Sequence, residues 1–117
     1  MAKILMAEDE PVVYVIMKRV LEEVAGHEVV ITTNGREALE VWDESFALLI
    51  TDYNMPEMGG QQLVETIRVS GDMRPIIQTN AGNLEEQVAL AYGANALLRK
   101  PFHPRELIAL INQLLFT

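Results

Sequence analysis

Five short apolar runs alternate along this chain with stretches in which apolar residues recur every three or four positions. The runs cover residues 3–7, 27–32, 47–51, 75–79 and 96–98. They are continuous rather than alternating, as strands buried on both faces of a parallel sheet are. Between them lie the helical stripes. Pro11 opens the first, with Val13, Ile16, Met17, Val20, Leu21 and Val24 on its core side and Gly26 as its C-cap. Val12 and Val15 fall off that stripe. Asn34-Gly35 is a turn signal before a second helix with Ala38, Leu39, Val41 and Trp42. Leu63, Val64, Ile67 and Val69 mark a third helix, stopped at Ser70-Gly71. Residues 80–83 read as a loop and 84–92 as a short fourth helix closed by Gly93. Pro104 opens the last, with Leu107, Ile108, Leu110, Ile111, Leu114 and Leu115. Strand and helix alternate five times, so the pattern predicts an α/β fold with helices on both faces of a parallel sheet.

Charge changes the picture at the strand ends. The first strand runs into Glu8-Asp9-Glu10, the third into Asp52, and the fifth into Lys100. An unpaired buried carboxylate is costly, so Asp52 needs a reason. One is a helix cap or turn; the other is a site at the carboxyl edge of the sheet, where open α/β folds bind ligands. Taken singly, Glu8-Asp9-Glu10 also reads as a solvated helix start favoured by the dipole. In a parallel sheet all these ends share one edge. If strands one, three and five are adjacent, the acids and the lysine converge on one pocket. Crowded carboxylates repel. Oxygen ligands of this kind, together with a phosphoryl oxygen, suit Mg²⁺, and the lysine suits phosphate.

Composition narrows the classes. The chain has 117 residues, half of them hydrophobic, enough for one folded domain over residues 1–117. No stretch is long and apolar enough to insert in a membrane, and the N-terminus reaches acids too early for a signal peptide. No cysteine is present, which removes disulfides and thiolate metal sites. A formal net charge of −8 argues against direct binding of nucleic acid. No linker or repeat interrupts the chain, which stops just past its last helix, so no output domain is expected within it.

Taken together, Glu8-Asp9, Asp52 followed by Met55-Pro56 and Gly60, Gly93-Ala94, and Lys100-Pro101-Phe102 resemble the receiver domains of two-component response regulators over the whole length. The resemblance implies a flavodoxin-like doubly wound (βα)5 fold with strand order 2-1-3-4-5, in a cytoplasmic signalling protein rather than an enzyme. It implies that Asp52 is the phosphoacceptor, that Glu8, Asp9, Asp52 and the backbone carbonyl of Asn54 hold Mg²⁺, and that Lys100 contacts the phosphoryl group. The donor would be a phosphohistidine of a histidine kinase or phosphotransfer protein, and an unidentified protein target would lie downstream. Three places depart from the family pattern. The usual Ser or Thr at the end of strand four is Asn80, with Thr79 as a fallback. The aromatic of strand five is Leu97. The segment between Asn80 and Gly93 looks about two residues short.

Val12 and Val15, with Pro101 and Phe102, are expected to form a docking patch for the donor helix; the alternative is that the two valines are only partly buried. His27 and His103 are expected in surface or capping roles. Met55 and Met58 are expected to fill space under the loop after Asp52. Two rival functions remain: a receiver-like interaction module that works without phosphorylation, and a haloacid-dehalogenase-type phosphatase. The latter needs an acid two residues beyond its nucleophile, where this chain has Asn54.

Overall fold

Every apolar run becomes a strand whose alternate residues face opposite layers. A computed structural model describes residues 1–116. Its elements are β1 (Lys3–Ala7), α1 (Pro11–Glu23), β2 (Glu28–Thr32), α2 (Gly35–Val41), β3 (Leu48–Asp52), α3 (Gly60–Val69), β4 (Ile76–Asn80), α4 (Glu86–Ala91), β5 (Ala96–Arg99) and α5 (Pro104–Phe116). The strands form one parallel sheet in the order β2-β1-β3-β4-β5. This is the flavodoxin-like arrangement, as expected. β1 and β3 are neighbours, but β4 lies between β3 and β5, so the end of β5 meets theirs only because the Lys100 side chain reaches across β4.

Two apolar layers hold the sheet. Ile4, Met6, Leu48, Ile50 and Ile77 point to one face and are covered by α1 and α5 through Met17, Leu21, Leu107 and Ile111. Leu5, Ala7, Leu49 and Ile76 point to the other, covered by α2 and α3 through Ala38, Leu63, Val64 and Ile67. Met55 and Met58 pack against this second layer. The central strand β3 is buried along its whole length.

Element ends differ from the sequence reading where side chains compete with backbone. Asn34-Gly35 is not a free turn. Asn34 Oδ1 accepts the Glu37 amide at 2.7 Å and Glu37 accepts the Thr33 amide at 3.1 Å, which together cap α2. A Cβ on Gly35 would come within 2.3 Å of the Met58 carbonyl oxygen, so the helix starts there only with glycine. Ile16, Val24 and Val69, placed on core stripes by periodicity, are exposed. Val24 and Val69 stand at helix ends, where the stripe runs past the sheet; Ile16 belongs to a cleft described below.

His27 is buried rather than superficial. Its Nδ1 accepts the Ala2 amide at 3.1 Å and its ring stacks on Phe116. Burial, helped by the positive amino terminus, lowers its pKa from the ordinary 6.5. The unfolded chain then binds a proton that the folded one refuses. Stability is therefore present above about 6.5 and is lost as pH falls through the lower folded value. Urea midpoints should drop between about pH 7 and pH 5, and the drop should shrink in His27→Asn. Equal slopes in both proteins would contradict this role. His103 caps α5, its Nδ1 accepting the Arg105 amide.

Candidate functional site at the carboxyl edge of the sheet

The carboxyl ends of β1, β3 and β5 deliver charges to one point. Asp52 closes β3 and is buried, Glu8 follows β1 and is buried, and Lys100 follows β5. Lys100 Nζ lies 2.7 Å from Glu8, 3.3 Å from Glu10 and 3.4 Å from Asp52. Oxygens of Glu8, Glu10 and Asp52 all fall within 4.8 Å of one another. Asp52 Oδ1 also accepts the Tyr53 amide at 2.9 Å, and Glu8 Oε2 accepts the Glu10 amide at 3.1 Å. The close approach of α3 to this edge depends on Gly60, where a Cβ would meet the Asp52 carbonyl oxygen at 2.2 Å. The Lys100–Pro101 peptide bond is cis.

Electrostatics follow from this crowding. Burial raises the pKa of Asp52 above the usual carboxylate value, against the opposing charge of Lys100; Asp9 adds to the rise. Burial raises Glu8 as well, and the Asp52 charge adds to it. Burial works against the charge of Lys100, but its hydrogen bond to Glu8 and the charges of Asp52 and Glu8 outweigh this and raise its pKa. One cation thus serves three carboxylates, an arrangement that favours a further positive charge. The donor set is all oxygen and closely spaced, which fits a hard divalent cation such as Mg²⁺.

The structure brings Glu8, Asp52 and Lys100 together. Asp9 is exposed and lies outside the close cluster, although Asp52 feels its charge. Asn54 sits exposed in the loop after β3. Glu10 is the residue that the sequence reading missed. It was visible as the third acid of a run, but an acid before a helix start reads as a dipole partner. It is in fact the N-cap residue of α1, with no side-chain capping bond, and its carboxylate turns to Lys100 instead.

Asn80 ends β4 and is buried; Lys100 donates its backbone amide to the Asn80 carbonyl at 2.9 Å. Thr79 is the register partner of Asp52, but its hydroxyl turns to the Thr51 carbonyl at 3.5 Å. Leu97 is half-buried on β5. The docking residues divide. Val12, Pro101 and Phe102 line a cleft of about 500 Å³ with Ile16, Met17 and Ala81, and Glu10 and Lys100 stand at its edge. Val12 and Ile16 are four residues apart on one helix and form a ridge there. Phe102 also packs on the α1–α5 core. Val15 does not join them; it lines a separate groove beside the edge strand β2. There Lys18 Nζ donates to the Val29 carbonyl at 2.6 Å and Glu22 accepts the Val29 amide at 3.2 Å. Helix side chains thus occupy groups that an added strand would need.

A doubly wound parallel sheet with a lysine and clustered acids at its carboxyl edge defines the class: an α/β protein whose chemistry sits at the strand ends. The family model described as the response regulator receiver domain matches residues 4–112, and the chain belongs to that family. It is a signalling domain of two-component systems. The transcriptional regulatory protein CpxR of Escherichia coli K12 is 34% identical over 116 residues, covering 98% of this chain and 50% of the relative. The response regulator SaeR of Staphylococcus aureus is 32% identical over 117 residues, covering 98% and 51%. The chain therefore spans about half the length of the curated relatives it matches. The chemotaxis response regulator CheY4 of Vibrio cholerae superposes with a TM-score of 0.88 at 32% identity, covering 98% and 99% of the two chains. The receiver domain of the sensor histidine kinase PA1611 of Pseudomonas aeruginosa, described with a magnesium ion in its active site cleft, superposes with a TM-score of 0.88 at 26% identity, covering 99% and 98%. Among the described residues, no helix is long and apolar enough to cross a membrane.

Proposed function

We infer that this chain is a phosphoacceptor receiver: Asp52 takes a phosphoryl group from a phosphohistidine, and the resulting change at the sheet edge is read by a partner protein. The observation that carries this reading is the 3.4 Å approach of Lys100 to a buried Asp52 within a cluster of acids. An Asp52 oxygen attacks phosphorus, the P–N bond to the donor imidazole breaks, and the imidazole leaves with that electron pair. In-line phosphoryl transfer depends on positioning and on neutralising charge. Lys100 supplies one positive charge. Asp52, Asp9 with Glu8, and the Asn54 backbone carbonyl would hold Mg²⁺, with Glu10 close enough to add a carboxylate. The bound ion supplies the second charge and offsets the phosphoryl oxygens. The tight Glu8–Lys100 contact keeps the ammonium aimed at Asp52.

The docking surface for the donor is the cleft at Val12, Ile16, Pro101 and Phe102, which opens beside Lys100 and so beside the acceptor. Its exposed apolar ridge suits an apolar helix face carrying the donor histidine. The upstream partner is a histidine kinase or phosphotransfer protein, in a cytoplasmic setting. The domain's own acidic surface does not favour nucleic acid.

The test has two donors. With acetyl phosphate and Mg²⁺, wild type should gain the mass of one phosphoryl group as a labile adduct, and EDTA should suppress it. A phosphohistidine-loaded phosphotransfer domain should also transfer to wild type but slowly to Val12→Glu, while acetyl phosphate treats both alike. No adduct from acetyl phosphate would sink the phosphoacceptor reading and leave the phosphorylation-independent module, which Asn80 and Leu97 favour. Equal behaviour of Val12→Glu with both donors would remove the docking cleft only.

A further inference from the structure

The loop between β4 and α4 runs beside Asp52, and two side chains hold it from opposite sides. Asn80 Oδ1 accepts the backbone amide of Gly82 at 2.9 Å and that of Leu84 at 3.2 Å. Arg99, the last residue of β5, donates to the carbonyl of Gly82 and, at 2.5 Å, to that of Leu84. Gly82 and Leu84 therefore have both their amide and their carbonyl engaged, one by each side chain. α4 begins two residues further on, at Glu86, with Glu85 as its N-cap. Asn80 belongs to a buried strand end, and its own carbonyl takes the Lys100 amide. The loop is thus tied to the strand next to Asp52 and to the strand that delivers Lys100.

A hydroxyl in place of Asn80 would hold the loop more weakly. Ser and Thr offer one short rotor, whereas the Asn carbonyl reaches two amides further along the chain. None of these bonds uses the Asn80 amide nitrogen, which stays available as a donor at the end of β4. Arg99 adds a planar fork that meets two carbonyls at once.

We propose that Asn80 and Arg99 are a positioning pair: they fix the β4–α4 loop in one conformation before and after Asp52 is phosphorylated, so that α4 does not move in response. Phosphorylation then changes charge and docking at the pocket and its cleft, and the partner that reads it binds there rather than at α4. This rests on the phosphoacceptor reading only in its second half, because the clamp itself exists in the free protein.

The experiment follows backbone amides by NMR, free and with beryllofluoride plus Mg²⁺ as the phosphoryl mimic. In free wild type, the Gly82 and Leu84 amides should exchange slowly. Asn80→Thr should speed them by roughly five- to tenfold, and Arg99→Ala should loosen the same loop while the β-sheet amides keep their protection. On adding beryllofluoride, amides around Glu8, Tyr53 and Lys100 should shift in wild type, while Gly82, Leu84 and α4 stay in place. In both variants the loop and α4 should also shift. A wild-type loop and α4 that respond as strongly as the pocket would overturn the proposal. So would unchanged exchange at Gly82 and Leu84 in both variants. If no amide responds to beryllofluoride anywhere, the phosphoacceptor reading fails, and the exchange rates still decide the clamp.

Discussion

Lys100→Ala should lower folding stability by about 3 kcal/mol, because it strips the one cation from a buried cluster of carboxylates. Glu8 and Asp52 are both buried, and each depends on this ammonium, at 2.7 Å and 3.4 Å. Without it their charges repel, with Glu10 close by, and burial already disfavours the ionised forms. For a domain of this size the loss corresponds to a fall in melting temperature of roughly 10 °C or more. The sign of the Mg²⁺ effect makes the prediction specific. A divalent cation replaces the missing charge, so Mg²⁺ should restore more stability to Lys100→Ala than it adds to wild type. Melting curves with and without Mg²⁺ decide this; a variant that melts like wild type, or ignores Mg²⁺, would mean the acids are not coupled through Lys100.

Asp52→Asn should do the opposite, raising stability by about 1 kcal/mol while abolishing the phosphoryl adduct. The folded pKa of Asp52 lies above the ordinary 3.8, so the folded state holds its proton to higher pH than the unfolded chain. Stability therefore falls as pH rises through that interval, and the whole cost is present at neutral pH. Asparagine removes the charge and keeps an oxygen for the Tyr53 amide. Lys100 retains Glu8 and Glu10 as partners. The same substitution should shrink the Mg²⁺-induced rise in melting temperature, since a carboxylate is lost. A less stable Asp52→Asn would show that the Lys100–Asp52 attraction outweighs the burial of the charge.

These opposite signs come from one geometric fact, a single ammonium among several acids. In the proposed role function and stability pull against each other there: the charge that would make Asp52 a nucleophile is the charge that burial resists. On the proposed function, phosphorylation of Asp52 would add further negative charge, which Lys100 and a divalent cation would have to offset. Beside that pocket Asn80 and Arg99 bond the loop at Gly82 and Leu84.

The order of the elements was legible in the sequence because a strand buried on both faces is a short continuous apolar run, whereas an amphipathic helix repeats about every 3.6 residues. The five strands and five helices follow from that, and so does the placing of Glu8, Asp52 and Lys100 along one edge, since all parallel strands end on the same side. Periodicity cannot say where a stripe stops being covered. Val24 and Val69 continue their patterns past the sheet, and Ile16 fits a core stripe yet joins Val12 in a cleft. Nor can local sequence show which of two exposed acids reaches Lys100. Glu10 meets Lys100 while Asp9 faces solvent, a choice made by residues some 90 positions apart in the chain. His27 reads as a strand start and is buried because Ala2 and Phe116 close over it. Asn80 was marked as a departure, but its partner Arg99 was not, because a strand-end arginine carries no signal until the fold lays it against Gly82 and Leu84. Local period and chain direction set the elements, their layers and the charges at the sheet edge. Which of those charges touch, and which loop is held, depends on the folded chain, because those contacts join residues that lie far apart in sequence.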